Sequence, residues 1–420
     1  DLSAGEHHDL VLELSDRPFD QDAPEPDAAW QATQEAWSSA VPGCDDLPAA
    51  RDARHAYAPA RPDRRPRRHG RGSHDLATRA AGRRAKLRLQ VRLDTRPVLH
   101  RHRRGRAWPH SLLSGALRSL TEWVLEAGPE LAPAYTATGQ PMPAERKLQL
   151  RGYPGGTAVA GNRVRGQFQL DCLGEILQVM AAAARHDMLA AENWHAVEVA
   201  AMAISERWHQ ADAGLWELDD KHWTHSRLAC VAGLRSIAAV ARGTADGHGF
   251  RRAANWGAVA DKIMGSLGNC VHSTGRWRRS PDDDRVDAAL VLPVIRGAVA
   301  TNDPRSRATL RAITDALADD GYLYRFRHDA RPLHEAEGAF LLCGFWMAQA
   351  MHLRGERAQA AGWFERNRAA CGPAGLYTEE YDVRQQQLRG NLPQAFVHAS
   401  MLECAVTLSA DGADGGGGGA

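Results

Sequence analysis

Two short segments far apart in the chain carry carboxylates among aromatic rings. The first, residues 212–226, reads DAGLWELDDKHWTHS. It sets Glu217 between Trp216 and the pair Asp219–Asp220, with Trp223 close behind. The second, residues 375–382, reads GLYTEEYD and places Glu379 and Glu380 beside Tyr377 and Tyr381. Two such carboxyls suit cleavage of a glycosidic bond, in which one protonates the leaving oxygen while the other activates a water. Aromatic faces stack on sugar rings, and by excluding water they raise the pKa of a neighbouring carboxyl. On composition alone, a glutamate near a tryptophan is common and reads better as a plain solvated loop. The 19 histidines form no HExxH or close-paired pattern; His222 and His225 only bracket Trp223, so no metal is expected. Neither GxGxxG nor a P-loop occurs, and no cofactor is expected.

The elements that must position these loops are helices. From about residue 110 onward, apolar residues recur at helical spacing over 110–126, 168–186, 192–208, 224–242, 252–267, 284–298, 304–319, 338–354, 356–370 and 394–409. Asp303 before Pro304 reads as an N-cap followed by a first-turn proline, and Gly243 and Gly321 stand where helices should stop. No strand-rich stretch is expected among them. Ahead of the helices, residues 9–16 (DLVLELSD) alternate like a strand, a Pro/Asp-rich linker follows, and residues 28–39 read as a helix carrying Trp30 and Trp37. The Gly-rich tail 411–420 has nothing to bury.

Composition bounds the rest. At 420 residues, 44% apolar and 25% charged, the chain can bury a large core without disulfide staples. Its seven cysteines are scattered, with no CxxC pair, which fits a reducing, cytoplasmic setting. No apolar run is long enough for a membrane helix, and no membrane partner is expected. No signal peptide is visible, but the chain begins at Asp1 without a Met, so its start is expected to be missing. The net charge of +1 conceals an asymmetry. Residues 61–107 hold 17 Lys+Arg and 3 Asp+Glu, while the rest of the chain is net −13.

Several long motifs, in one order, carry a family resemblance. LWELDDKHWTHSRLACVAGLR, DGYLYRFRHD, EGAFLLCGFWMAQAMHLRGERAQAAGWFER and GLYTEEYD, followed by LRGNLPQAFVHASML, resemble glycoside hydrolase family 15, as do GYPGG at 152–156 and GQFQLDCLGE at 166–175. This is the family of glucoamylases, glucodextranases and bacterial trehalases. The resemblance covers residues 109 to about 409. It implies an all-α, (α/α)6 barrel of the six-hairpin type, behind an N-terminal β-sandwich. The expected division is then 1–16 as the end of that sandwich, 17–45 as linker and helix, 46–410 as the catalytic barrel and 411–420 as a disordered tail. The implied activity is exo-acting, inverting release of glucose from α-linked oligosaccharides or disaccharides. A glucoamylase-like activity is the first reading and α,α-trehalase the alternative. A relic that only binds carbohydrate or a polyanion is the rival from another class. Oligomeric state is not legible.

The resemblance also implies roles. Glu217 matches the general acid and Glu379 the general base, the first Glu of an E-x-Y-D motif, with Glu380 as runner-up. Inversion leaves room for a water, so the carboxyls should stand roughly 6.5–9.5 Å apart. Arg325 matches a sugar-binding arginine; a structural ion pair is its bland reading. Trp223 could stack on sugar or pack its loop, and Trp216 is expected as packing shell more than ligand. Gln169 and Asp171 could bind sugar or cap helices. Glu337 could bond a sugar hydroxyl or cap the helix that follows it.

Residues 59–108 depart from the pattern. As an Arg-rich arm they could bind nucleic acid, and as a linker they could be plainly disordered. The family places a Trp-Arg-Asp motif here that grips the terminal sugar, and this chain shows none. Yet codons compatible with Ala85–Arg96, AKLRLQVRLDTR, read one base out of frame as RNYDYRYVWIRD. The same shift holds from Pro59 onward, and Pro109 re-enters the frame. The segment is therefore expected to be out-of-frame translation between two compensating indels. No nucleic-acid partner is expected, and the chain as written should be impaired.

Overall fold

The computed structural model describes residues 25–40, 77–80, 111–136, 139–151, 156–243, 247–328, 331–372 and 375–409. The expected sandwich strand 9–16, most of the linker, the Gly-rich tail and the Arg-rich segment lie outside these residues, apart from Ala77–Ala80 of the last. The helices are α1 (Pro26–Ala40), α2 (Ser111–Ala127), α3 (Leu170–Ala184), α4 (Ala191–Arg207), α5 (Thr224–Ala241) and α6 (Gly247–Ser266). After them come α7 (Leu292–Ile295), α8 (Pro304–Leu317), α9 (Leu333–Ala336), α10 (Leu341–Leu353), α11 (Arg357–Arg368) and α12 (Ala395–Ser409).

Burial sorts the longer helices into two rings. α10 is buried without interruption from Leu341 to Met351, and α5 from Thr224 to Leu234. A helix apolar or buried all round has no solvent face and belongs inside. By contrast α8 buries only Ser306, Thr309, Leu310, Ile313 and Leu317, one stripe at helical spacing. α3, α5, α7, α10 and α12 form the inner set, and α2, α4, α6, α8 and α11 the outer helices that come before them in turn, with the single turn α9 between α8 and α10. The described residues thus supply outer–inner pairs of an all-α six-hairpin barrel.

The inner helices α3 and α5 approach so closely that side chains are excluded. A Cβ on Gly233 would stand 2.3 Å from the carbonyl oxygen of Gly174, and one on Gly174 would stand 2.3 Å from that of Ala229. Only glycine permits this backbone contact. It fixes the middle of α5, at Ala229 to Gly233, against the first half of α3 at Gly174.

Most expected helices are present within a few residues. Asp303 caps α8 as expected, its carboxylate accepting the Arg305 N–H at 2.8 Å. One expectation fails. Residues 284–298 are not one helix but a 3-10 turn, Ala288–Val291, and the single turn α7. Asp287 pairs in extended conformation with Phe326, Pro293 removes a backbone donor, and Gly297 turns the chain out at φ 74°. Gly321 (φ 76°) serves a different end from the one expected. It turns the hairpin between β4 (Ala318–Asp319) and β5 (Tyr322–Leu323) rather than stopping a helix directly.

Short strands also accompany the helices, none forming a strand-rich stretch among the described residues. β3 (Gly156–Ala160) lies between β1 (Ala77–Ala80) and β2 (Arg146–Arg151), both antiparallel to it. A second antiparallel sheet has the order β6 (Ala339–Phe340), β7 (Glu380–Asp382), β8 (Gln387–Arg389). This small sheet brings the GLYTEEYD segment to the start of α10.

Candidate active site

The loop between α4 and α5 is closed on itself. Asp212 and Lys221 exchange both backbone hydrogen bonds at 3.0 Å, and the Ala213 N–H bonds the Phe168 carbonyl at 2.9 Å. Inside, Gly214 (φ 61°) lies flat on the Trp223 ring, where an added Cβ would come within 2.6 Å of Cδ1. Glu217 is buried and held at φ 51°, a left-handed conformation that a non-glycine residue adopts only under constraint. Asp219 and Asp220 are exposed.

Trp216 is the hub between this loop and the rest. Its ring meets Phe340 edge-on at 5.9 Å and lies 6.1 Å from Trp346 and 6.4 Å from Phe326. The Arg325 guanidinium stands 5.7 Å from the same ring and 4.4 Å from Phe340. Arg325 is paired with Glu337, Nε lying 3.1 Å from Oε2, and His328 Nε2 reaches the same oxygen at 3.1 Å. Glu379 is buried just before β7, and its carbonyl accepts the Leu341 N–H at 3.2 Å. Gly390 (φ 87°) presses on it, leaving only 3.2 Å between an added Cβ and the Glu379 Cβ. Glu380 accepts the Gly338 N–H at 2.9 Å and so pins β7 to the Glu337 segment.

Charge is crowded here. The carboxylates of Glu337, Glu380 and Glu379 all act on the Arg325 guanidinium and favour its charged form against the cost of burial. Burial works to raise the Glu337 pKa, but Arg325 and His328 outweigh it and hold the carboxyl below its usual range. Glu380 goes the other way, pushed up by burial and by the charge of Glu337, with Arg325 only partly opposing. Behind the first loop, burial and the charge of Asp171 push Asp212 up to about 7.

The structure refines several expectations. Gln169 occupies the N-cap position of α3, but its side chain makes no capping bond; its Nε2 points to Gln167 Oε1 at 3.4 Å. Asp171 is fully buried, and its charge acts on Asp212. Glu337 does not cap α10, since Phe340 holds that position and Glu337 is committed to Arg325 and His328. Trp223 packs its own loop, buried between Gly214 and the Arg279 guanidinium 5.1 Å away. Sequence reasoning missed Arg279, Asp287, His328 and Asp212. Arg279 Nε bonds the buried Asp287 at 2.9 Å, and its guanidinium lies 4.5 Å from the Phe326 ring. Asp212 opens the DAGLWE loop, and that position was the one available signal.

Comparisons with known proteins agree with this architecture. The chain is 32% identical over 252 residues to a trehalase of Mycobacterium tuberculosis, covering 59% of this chain and 37% of that one. A trehalase of Mycolicibacterium smegmatis is 31% identical over 283 residues, covering 65% and 42%. Trehalase 1 of Sulfolobus acidocaldarius is 30% identical over 283 residues, covering 66% and 48%. The chain therefore spans under half the length of these relatives. Among solved structures, a bacterial glucoamylase complexed with acarbose aligns with TM-score 0.55 at 15% identity, over 72% of this chain and 49% of that one. A wild-type glycosidase aligns with TM-score 0.52 at 20% identity, over 71% and 80%. The family model of the glycosyl hydrolases family 15 matches residues 118–406, a span that includes both carboxylate loops. By that match the chain belongs to glycosyl hydrolase family 15.

Proposed function

We propose that this chain is the catalytic part of an inverting α,α-trehalase, with Glu217 as general acid and Glu379 as general base. The observation that carries the substrate is that the curated relatives from both bacteria and archaea are trehalases. They favour this reading over the glucoamylase-like one that the sequence put first. In the reaction Glu217 donates its proton to the oxygen between the two glucose units as the C–O bond breaks. Glu379 takes a proton from a water attacking the opposite face of the anomeric carbon. The attacked unit leaves as β-glucose and the departing unit as α-glucose, and both carboxyls return to their starting states by proton exchange with solvent.

Three features support the assignment. Glu217 and Glu379 are both buried, where an unequal pair of carboxyls can be maintained. They approach the same aromatic cluster from different elements, Glu217 beside Trp216 and Glu379 beside β6 and Phe340. Arg325 stands 5.7 Å from the Trp216 ring and is acted on by the charge of Glu379, a charged donor suited to sugar hydroxyls. No metal or cofactor is needed for these steps. The test is glucose release from trehalose, maltose and isomaltose, with the product anomers followed by NMR. Trehalose should be hydrolysed fastest, with equal initial α- and β-glucose. Faster release from maltose would reject the trehalase assignment in favour of a glucoamylase-like one.

A further inference from the structure

The loop 212–221 holds four carboxylates, and two of them, Asp219 and Asp220, are exposed to solvent. Of the two buried ones Glu217 has a chemical reason to be there. Asp212 is fully buried and carries no role in the mechanism above. Burying a carboxylate is costly unless its bonds are met. Three parts of the structure bond it, and they offset that cost only in part. Asp212 Oδ1 accepts the Gly214 N–H at 2.8 Å and the Ser226 hydroxyl at 2.8 Å. Oδ2 faces Arg227 Nη1 at 3.2 Å. Its backbone pairs with Lys221 at the far end of the loop.

One side chain thus joins the entry of the loop, its first glycine turn and the first turn of α5. Gly214 follows at φ 61°, its carbonyl accepts the Glu217 N–H at 3.1 Å, and Glu217 stands at φ 51°. A short relay of backbone geometry connects Oδ1 of Asp212 to the position of Glu217. A left-handed non-glycine residue persists only where its surroundings over-determine it, and Asp212 is the group that does so on the entry side.

We propose that Asp212 is the positioning residue of the general acid: through the Gly214 turn, its Oδ1 fixes where Glu217 presents its carboxyl. This rests on the reading of Glu217 as the acid. The two oxygens of Asp212 have separate duties, and that makes the proposal testable. Asp212→Asn keeps an oxygen for Gly214 and Ser226 but sets an amide against Arg227. Asp212→Ala loses both.

The experiment compares the two variants with the parent chain, all carrying an in-frame segment across 59–108. Fold is checked by circular dichroism and melting. Displacing a catalytic group by about 1 Å can cost on the order of 100-fold in rate. Asp212→Ala should therefore lose about 100-fold or more in kcat on trehalose with KM within about threefold, while Asp212→Asn should recover most of that loss. Hydrogen exchange supplies an arm that needs no activity. Amides of 213–218 should lose protection in Asp212→Ala and regain it in Asp212→Asn, with α3 and α10 unchanged. A folded Asp212→Ala with parental kcat, or with 213–218 still protected, overturns the proposal. So does an Asp212→Asn as damaged as Asp212→Ala, since Arg227 pairing would then be the operative contact. If Asp212→Ala fails to fold, Ser226→Ala, which removes one of the two Oδ1 bonds, must show the same local loss of protection. A parent chain that releases no glucose would overturn the trehalase reading while the exchange arm still decides the clamp.

Discussion

Arg325 and Glu337 meet as a buried ion pair, 3.1 Å from Nε to Oε2, roofed by Phe340 and Trp216. Both members are nearly or wholly removed from water, so neither can be deleted cheaply. Breaking a buried pair on one side leaves the other charge unmatched, at a cost of about 3–5 kcal/mol. Glu337→Ala should lower unfolding stability at pH 7 by that amount in urea denaturation. The pH sign follows from the lowered pKa of Glu337. Its contribution is present above its ordinary value of 4.5 and is lost as pH falls through the depressed folded value. The variant and the parent should therefore converge in stability on acidification. A constant gap from pH 7 to pH 3 would reject the pair as the source.

Glu217 and Glu379 should separate by chemistry. Glu217→Gln preserves shape but cannot donate a proton, and general acid catalysis contributes about 10²–10⁴-fold. In a frame-corrected protein the kcat on trehalose should fall by that range with KM little changed. Glu379→Ala should be at least as slow, and azide should rescue it, because a small anion can replace the attacking water. Glu380→Gln should retain far more activity than Glu379→Ala, since Glu380 is engaged with the Gly338 N–H. Near-parental turnover in Glu217→Gln or Glu379→Ala would remove that residue from the mechanism.

What was legible in the sequence follows from which signals are local. The helical stripes of α2 to α6, α8 and α10 to α12 announce themselves, because periodicity depends on residues a turn apart. Asp303–Pro304 did so for the same reason. Residues 284–298 misled, because their apolar content mimics a helix while Asp287, paired to Phe326, and Pro293 impose another course. The strands β2 and β3 and the small sheet of β6 to β8 are short and rely on partners elsewhere in the chain. Glu217 and Glu379 were singled out through motifs. Asp212, Arg279 and His328 were not, because their importance comes from partners such as Ser226, Asp287 and Glu337 that only folding brings near. The capping readings of Gln169 and Glu337 failed for a related reason. Sequence position shows where a cap could sit, but not which competing partner the side chain takes.

The glycine contact between α3 and α5 offers a packing test. Gly233→Ala would place a Cβ 2.3 Å from the Gly174 carbonyl oxygen, with backbone on both sides and no flexible group to yield. Overpacking a close-packed interior costs about 1–3 kcal/mol, and occasionally more. Helix propensity works in the opposite direction by about 1 kcal/mol, so the steric term should win. Thermal unfolding should show a clear loss of Tm for Gly233→Ala. Gly265, with nothing near its Cβ, should tolerate the same change or gain from it.

Asp212 sets a second pH dependence, opposite in sign to that of Glu337. Its folded pKa is raised from 3.8 to about 7, first by burial and then by the charge of Asp171. The native state therefore holds a proton that the unfolded state has released. Stability should fall as pH rises from about 4 to about 7, with a limiting slope near 1.4 kcal/mol per pH unit for one group. Asp212→Asn cannot titrate and should flatten that limb. An unchanged slope in the variant would assign the dependence elsewhere, for instance to Glu380, whose pKa is also raised.

The Arg-rich segment yields the prediction with the largest consequence. Residues 61–107 carry a net +14 in a chain otherwise net −13, and nothing in the carboxylate chemistry calls for such a charge. One base out of frame, Ala85–Arg96 permits RNYDYRYVWIRD, and the resemblance puts a sugar-gripping Trp-Arg-Asp motif at this place. Each shifted codon has two positions set by one observed residue and one by the next, so agreement along some fifty residues is hard to reach by chance. We therefore expect resequencing across codons 55–112 to find two compensating indels. We also expect the chain as written to show little hydrolysis and poor solubility. Losing a charged hydrogen bond to the sugar costs several kcal/mol of transition-state binding, which is about 100-fold or more in rate. A protein with the frame restored should exceed the written chain in kcat/KM on trehalose by at least that factor. The opposite outcome has three parts: an intact frame in the gene, tryptic peptides of the Arg-rich stretch in the purified protein, and full activity. Together they would show that the basic segment belongs to the working enzyme.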